Sequence, residues 1–198
     1  LAEGSPVLVP SPAEEGFMID VDAIEAAVTD RTVGLVLNSP NNPTGAVQPP
    51  EVLSALGALA ERHDLWVITD DIYSELRYDG GPYASVLRER PDLRERIIVV
   101  HGASKTYAMT GWRIGFVGAQ EALIKKLSIL AGQSTSNPTA FGQYGALAAV
   151  QSDGSFLTEW RSAYDARRRR IVELINGIEG VTCHLPGGAF YVFPDVRG

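Results

Sequence analysis

Short apolar runs that stop abruptly at polar clusters, with helix-like stretches between them, constrain this chain most. Val33-Gly34-Leu35-Val36-Leu37 stops at Asn38-Ser39-Pro40. Leu65-Trp66-Val67-Ile68-Thr69 stops at Asp70-Asp71, and Ile97-Ile98-Val99-Val100 stops near Gly102. Ile114 to Gly118 is a fourth candidate strand. Runs apolar on both faces read as strands of a buried parallel sheet. Between the first two, Pro49-Pro50 opens a segment in which Val52, Leu56 and Leu59 recur at helical spacing. Further helices are expected over about 120–131, 139–151 and 155–176. Alternation of this kind predicts an α/β fold, a three-layer α/β/α arrangement with a mainly parallel sheet. In such sheets ligands bind beyond the carboxyl ends of the strands, where the polar clusters fall.

After the long helix, Val181 to His184 and Ala189 to Phe193 read as two strands separated by Pro186-Gly187-Gly188. They suggest the start of a smaller α/β region. The expected division is 1–153 for part of a large domain and 154–198 for a connecting helix and an incomplete small domain. The chain starts at Leu1 rather than Met and ends just after a strand-like run, so it reads as an excerpt of a longer protein.

Composition narrows the function. With 45% hydrophobic residues the chain has material for a real core. A net charge of −7 argues against general nucleic-acid binding. The run Arg167 to Arg170 reads as a solvated helix face. The one cysteine, Cys183, reads as a small half-buried apolar residue. His63, His101 and His184 lack metal-ligand spacing, and no metal site is expected. No run is long enough to span a bilayer, no signal peptide is evident, and the default compartment is the cytoplasm. A dinucleotide-binding reading is weak, because no strand-to-helix turn carries G-x-G-x-x-G.

Three clusters call for one explanation: Asn38 to Gly45, Thr69 to Tyr73, and Ser104 to Gly115. Each is weak alone. In this order, Asn42-Pro43-Thr44-Gly45, Asp70 followed three residues later by Tyr73, and Ser104-Lys105 followed eight residues after the lysine by Arg113 resemble the class I/II aminotransferases of fold type I, the aspartate aminotransferase superfamily. The resemblance extends to Ser136-Asn137-Pro138 and Gly188-Ala189-Phe190-Tyr191.

That resemblance implies pyridoxal 5'-phosphate as cofactor, an electron sink once its aldehyde is joined to an amine. It implies that Lys105 supplies the amine of the resting Schiff base and is the catalytic residue. It assigns Asp70 to the ring nitrogen, with Asp71 as a possible substitute. Tyr73 and Asn42 are assigned to the phenolic oxygen, and Ser104 and Arg113 to the phosphate. Tyr107, Trp112 and Tyr191 read as packing residues. Some relatives carry a serine three residues before the lysine, where this chain has Gly102. The implied reaction moves an amino group between an amino acid and a 2-oxo acid, in a homodimer. The alternatives are another reaction of the same cofactor, such as β-elimination or cyclopropane formation, or a cofactor-binding sensor domain of a transcription regulator.

Overall fold

A computed structural model describes residues 3–198. Its elements in chain order are α1 (Val21–Ala27), β1 (Gly34–Asn38), α2 (Pro50–Arg62), β2 (Trp66–Asp70), α3 (Val86–Glu89), β3 (Ile97–Gly102), α4 (Ala103–Thr106), β4 (Gly115–Gly118), α5 (Glu121–Ser134), α6 (Ala140–Val150) and α7 (Phe156–Asn176). The four strands form one sheet in the order β1-β2-β3-β4. The β1–β2 and β2–β3 pairs are parallel, and β4 runs antiparallel to β3.

The register explains the core. Leu35, Val67 and Ile97 lie side by side across the parallel strands. Side chains alternate between faces along a strand. One face therefore presents Leu35, Leu37, Val67, Ile97 and Val99 to α2, whose Leu53, Leu56, Leu59 and Ala60 complete the main core. Pro50 at the first turn suits α2 because that position has no intrahelical bond to lose. Ser85 caps α3 by accepting from the Arg88 N–H, and Asp20 caps α1 in the same manner.

The opposite face carries Val36 and Ile68, which remain exposed, as does Val117 on β4. The expected apolar character on both faces of the strands is therefore present, and the described residues cover only one of them.

Two expected strands are not formed. Around Val181–His184 and Ala189–Phe193 there are only isolated bridges, Thr182 with Asp195 and Arg77 with Gly188. The physical reason is where the backbone bonds go. Gly188 N–H donates to the Gly45 carbonyl, Ala189 N–H to that of Leu76, and the Gly187 carbonyl accepts from Tyr78. This segment is spent on the loops of the large sheet rather than on a ladder of its own. The arginine run also departs in part from a solvated face. Arg168 lies over the Tyr78 ring and donates to the Pro186 carbonyl at 2.6 Å.

Leu56 is fully buried at the centre of the α2–sheet contact. Leu56→Ala should lower unfolding free energy by about 3 kcal/mol, through lost transfer energy and a residual cavity. Urea denaturation of the full-length protein checks this.

Candidate active site

The carboxyl ends of β1 and β2 are level, and β3 runs two residues past that row to Gly102. Asn38 pairs with Asp70, and Asp70 with Val100. The loops that follow therefore leave the sheet side by side. Asn38 is the brace between the first two. Its amide donates to the Asp70 carbonyl at 2.9 Å, and its side-chain oxygen accepts from the Asn42 N–H at 2.7 Å. The Asn42–Gly45 turn is closed by Gly45 N–H on the Asn41 carbonyl and by Thr44 on the Asn41 side chain. Gly45 has φ +69°, and a Cβ there would overlap Pro186 and stand 2.8 Å from the Gly188 carbonyl. A glycine meets both demands.

Strand alternation separates the two aspartates. Asp70 shares the parity of Val36 and Ile68 on the open face, and its side chain accepts from the Ile72 N–H at 3.2 Å. Asp71 turns to the other side and is fully buried. It accepts from the Thr69 hydroxyl at 2.5 Å and from the Tyr83 hydroxyl. Burial pushes the Asp71 carboxyl above its ordinary range, against the two hydroxyls and the charge of nearby His101, which lower it. Asp71 is thus engaged inside the fold, and of the two carboxylates Asp70 is the one with room for a ligand.

Tyr73 follows on a tight turn, with Leu76 N–H on its carbonyl. It is buried, and its hydroxyl lies 2.5 Å from that of Tyr191. Burial raises its pKa first, then the Tyr191 hydroxyl and the Asp70 charge, with a small opposing pull from Asn42. Asn42, Asp70 and Tyr73 thus converge from two loops.

Lys105 lies in α4, the short turn that follows β3. Its Nζ is 5.7 Å from the Tyr73 ring centre and 5.3 Å from that of Phe190. Among the described residues it has no hydrogen-bond or carboxylate partner. A half-buried amine held between aromatic rings with nothing to neutralise it suits reaction with an aldehyde. Arg113 has left-handed backbone angles, φ 56° and ψ 48°, and donates to the Thr110 carbonyl at 2.7 Å. That conformation costs a non-glycine residue about 1 kcal/mol. No carboxylate among the described residues pairs with its guanidinium, which keeps donors free for an anion. Ser104 is half-buried beside Lys105.

Gly102, where some relatives carry serine, has no room for a side chain. A Cβ there would stand 2.9 Å from the Ile114 carbonyl and 3.1 Å from Ile72 Cδ1. Sequence reasoning placed Tyr191 among packing residues, but its hydroxyl meets Tyr73. It also set His101 aside, whose Nε2 lies 3.0 Å from the Ser74 hydroxyl on the Tyr73 loop. Tyr191 lies in the Gly188-Ala189-Phe190-Tyr191 segment of the resemblance, which gave its hydroxyl no role, and His101 had no such signal. Their partners are remote in the chain, 118 residues away for Tyr191 and 27 for His101.

The family profile described as "Aminotransferase class I and II" matches residues 1–198. The chain belongs to that family. It is 41% identical over 197 residues to an aspartate aminotransferase of Bacillus subtilis, covering all of this chain and 50% of the relative. It is 41% identical over 199 residues to an aspartate/prephenate aminotransferase of Cereibacter sphaeroides, with the same coverage. The crystal structure of the Rhizobium meliloti aspartate aminotransferase superposes with a TM-score of 0.95 at 38% identity, over 99% of this chain and 49% of that one. The Thermus thermophilus enzyme with maleate gives 0.90 at 41%, over 96% and 49%. The chain thus spans about half the length of the curated relatives it matches. Class I and II aminotransferases use pyridoxal phosphate. The donor set fits that group: an unpaired amine, a carboxylate on the open face, a phenol and an amide side by side, and a guanidinium with free donors.

Asp71 supplies a pH test. Above its ordinary pKa of 3.8 the unfolded chain has released this proton while the folded carboxyl still holds it. Its contribution to stability therefore falls as pH rises through that window, until the folded group ionises. Asp71→Asn should remove that slope. In urea midpoints taken from about pH 4 to pH 7, the stability of wild type relative to the variant should decline with pH.

Proposed function

We propose that the protein transfers an amino group from an amino acid to a 2-oxo acid, with pyridoxal phosphate anchored on Lys105. The observation that carries this reading is the unpaired Lys105 amine between Tyr73 and Phe190, in a loop that leaves the sheet beside the one bearing Asp70. When bound, pyridoxal phosphate supplies an aldehyde that condenses with amines and a ring that takes up the electron pair left by a departing α-proton.

The chain's own residues have separate tasks. Lys105 Nζ holds the aldehyde carbon at rest. Set free by the substrate's amine, it would take the proton from the substrate's α-carbon and return one to the former aldehyde carbon, beyond the intervening nitrogen. Asp70 keeps a proton on the ring nitrogen by offering it a negative partner. Tyr73 and Asn42 donate to the phenolic oxygen. Arg113, whose fork suits phosphate oxygens, holds the phosphate together with Ser104. The rings of Tyr73 and Phe190 limit water around the amine.

The relatives' names, aspartate and aspartate/prephenate aminotransferase, make aspartate the first amino donor to try. The remaining parts of the reading are a homodimer, a cytoplasmic location, a place in amino-acid biosynthesis, and the division of the chain near residue 153. No helix among the described residues is long and apolar enough to cross a membrane.

Borohydride reduction of the full-length protein with pyridoxal phosphate, followed by peptide mass mapping, should place the pyridoxyl group on Lys105 and not on Lys125 or Lys126. Lys105→Ala should abolish that label and lower transamination by about 10⁴-fold, the upper range for a lost general acid–base. Spread labelling would refute the anchor. Steady release of pyruvate and ammonia in place of stoichiometric amine transfer would refute the reaction.

A further inference from the structure

The segment ending in Tyr191 is held by the same loops that carry the candidate cofactor residues. Gly188 donates to Gly45 at 2.9 Å, Ala189 to Leu76 at 2.8 Å, and Tyr78 to Gly187 at 3.0 Å. The Tyr78 hydroxyl donates to the Ala189 carbonyl, and Arg168 to that of Pro186. Ala189, itself in the left-handed region at φ 57°, turns the chain so that Phe190 and Tyr191 both meet the Tyr73 ring, with centroids 5.5 and 5.6 Å away. Tyr191 is therefore placed before any ligand arrives.

Packing does not need its hydroxyl. A phenylalanine would fill the same space against Phe190 and Tyr73, as Phe190 itself does. Among the described residues the Tyr191 hydroxyl has one partner, the Tyr73 hydroxyl at 2.5 Å. Each phenol has one proton and two lone pairs. The pair thus holds two protons, one of which lies in the bond between them. If Tyr73 donates to Tyr191, it has no proton left for a ligand. If Tyr191 donates, the proton of Tyr73 is free to point elsewhere. An anionic ring oxygen accepts more strongly than a neutral phenol, so a bound cofactor selects the second order.

We propose that Tyr191 is a positioning residue: its hydroxyl donates to Tyr73 and thereby directs Tyr73's own proton to the phenolic oxygen of the cofactor. This rests on the reading of Lys105, Tyr73 and Asp70 given above. Hydrogen bonds in such a chain strengthen one another, so losing the outer bond weakens the inner one by a fraction. A weaker donor leaves the ring oxygen's negative charge less stabilised. The protonated form of the bound cofactor gains, and its titration midpoint moves up.

The experiment is a pH titration of the visible absorption band of the full-length, cofactor-loaded protein and three variants. Tyr73→Phe should raise the midpoint by about one to two units, the worth of a hydrogen bond to a charged group. Tyr191→Phe should raise it by a few tenths of a unit, roughly a tenth to a third of that effect. In the Tyr73→Phe background, Tyr191→Phe should add nothing, because it has lost the group through which it acts. An unmoved midpoint in Tyr191→Phe overturns the proposal, and so does an equal shift in both backgrounds. Borohydride mapping of the unmodified protein accompanies the series. A label away from Lys105 refutes the underlying reading, whereas a label on Lys105 with an inert Tyr191 refutes the positioning role alone.

Discussion

The candidate site depends on one constraint, the level register of three parallel strands. Asn38, Asp70 and Val100 sit in one row, so segments distant in sequence leave the sheet at the same edge, the one after β3 two residues further on. The hydrogen bond from Asn38 to the Asp70 carbonyl locks the first pair at that level. A slip of one residue in β2 would exchange Asp70 and Asp71 between faces. The burial of Leu35, Val67 and Ile97 against α2 opposes such a slip, since it would turn this row away from the core. The packing on one face of the sheet therefore fixes the chemistry offered on the other.

A second tie closes the site from afar. Residues 186–191 have no ladder of their own. Several of their backbone groups bond instead to Gly45, Leu76 and Tyr78, which gives the segment a fixed path. The consequence is an aromatic cluster of Tyr73, Tyr164, Phe190 and Tyr191, of which the Tyr73 and Phe190 rings lie against the Lys105 amine. The turn of Asn42 to Gly45, the Tyr73 loop and this returning segment brace one another.

Much of the fold was legible because its signals are local. Apolar runs bounded by Asn38-Ser39-Pro40 and Asp70-Asp71 mark strands, and Val52, Leu56 and Leu59 mark the buried side of α2. The antiparallel β4 was not marked as such, since direction depends on the partner and not on the run. Val181–His184 and Ala189–Phe193 have strand-like composition, but a strand needs a neighbour to pair with, and their bonds go to other loops. The candidate site was legible where spacing within a loop brings residues together, as in Asp70 with Tyr73. It was not readable where the contact spans the chain. Tyr191 has the composition of a packing residue, and only the folded path brings its hydroxyl to Tyr73. The spacing to Tyr73 favoured Asp70 over Asp71, but the face each occupies was not legible, because in runs apolar on both faces sequence does not say which side the helices cover.

The charge left in the site follows from that same division of the aspartates. Lys105 and Arg113 have no carboxylate partner among the described residues, and Asp70 lies on the open face of the sheet. Asp71 does not compensate, because burial favours its neutral form and its oxygens are already engaged by Thr69 and Tyr83. Guanidinium donors without a carboxylate partner suit a phosphate dianion. Withdrawing one of two adjacent acids into the fold ties Thr69 to Tyr83 through Asp71 and leaves Asp70 as the carboxylate of the pair on the open face.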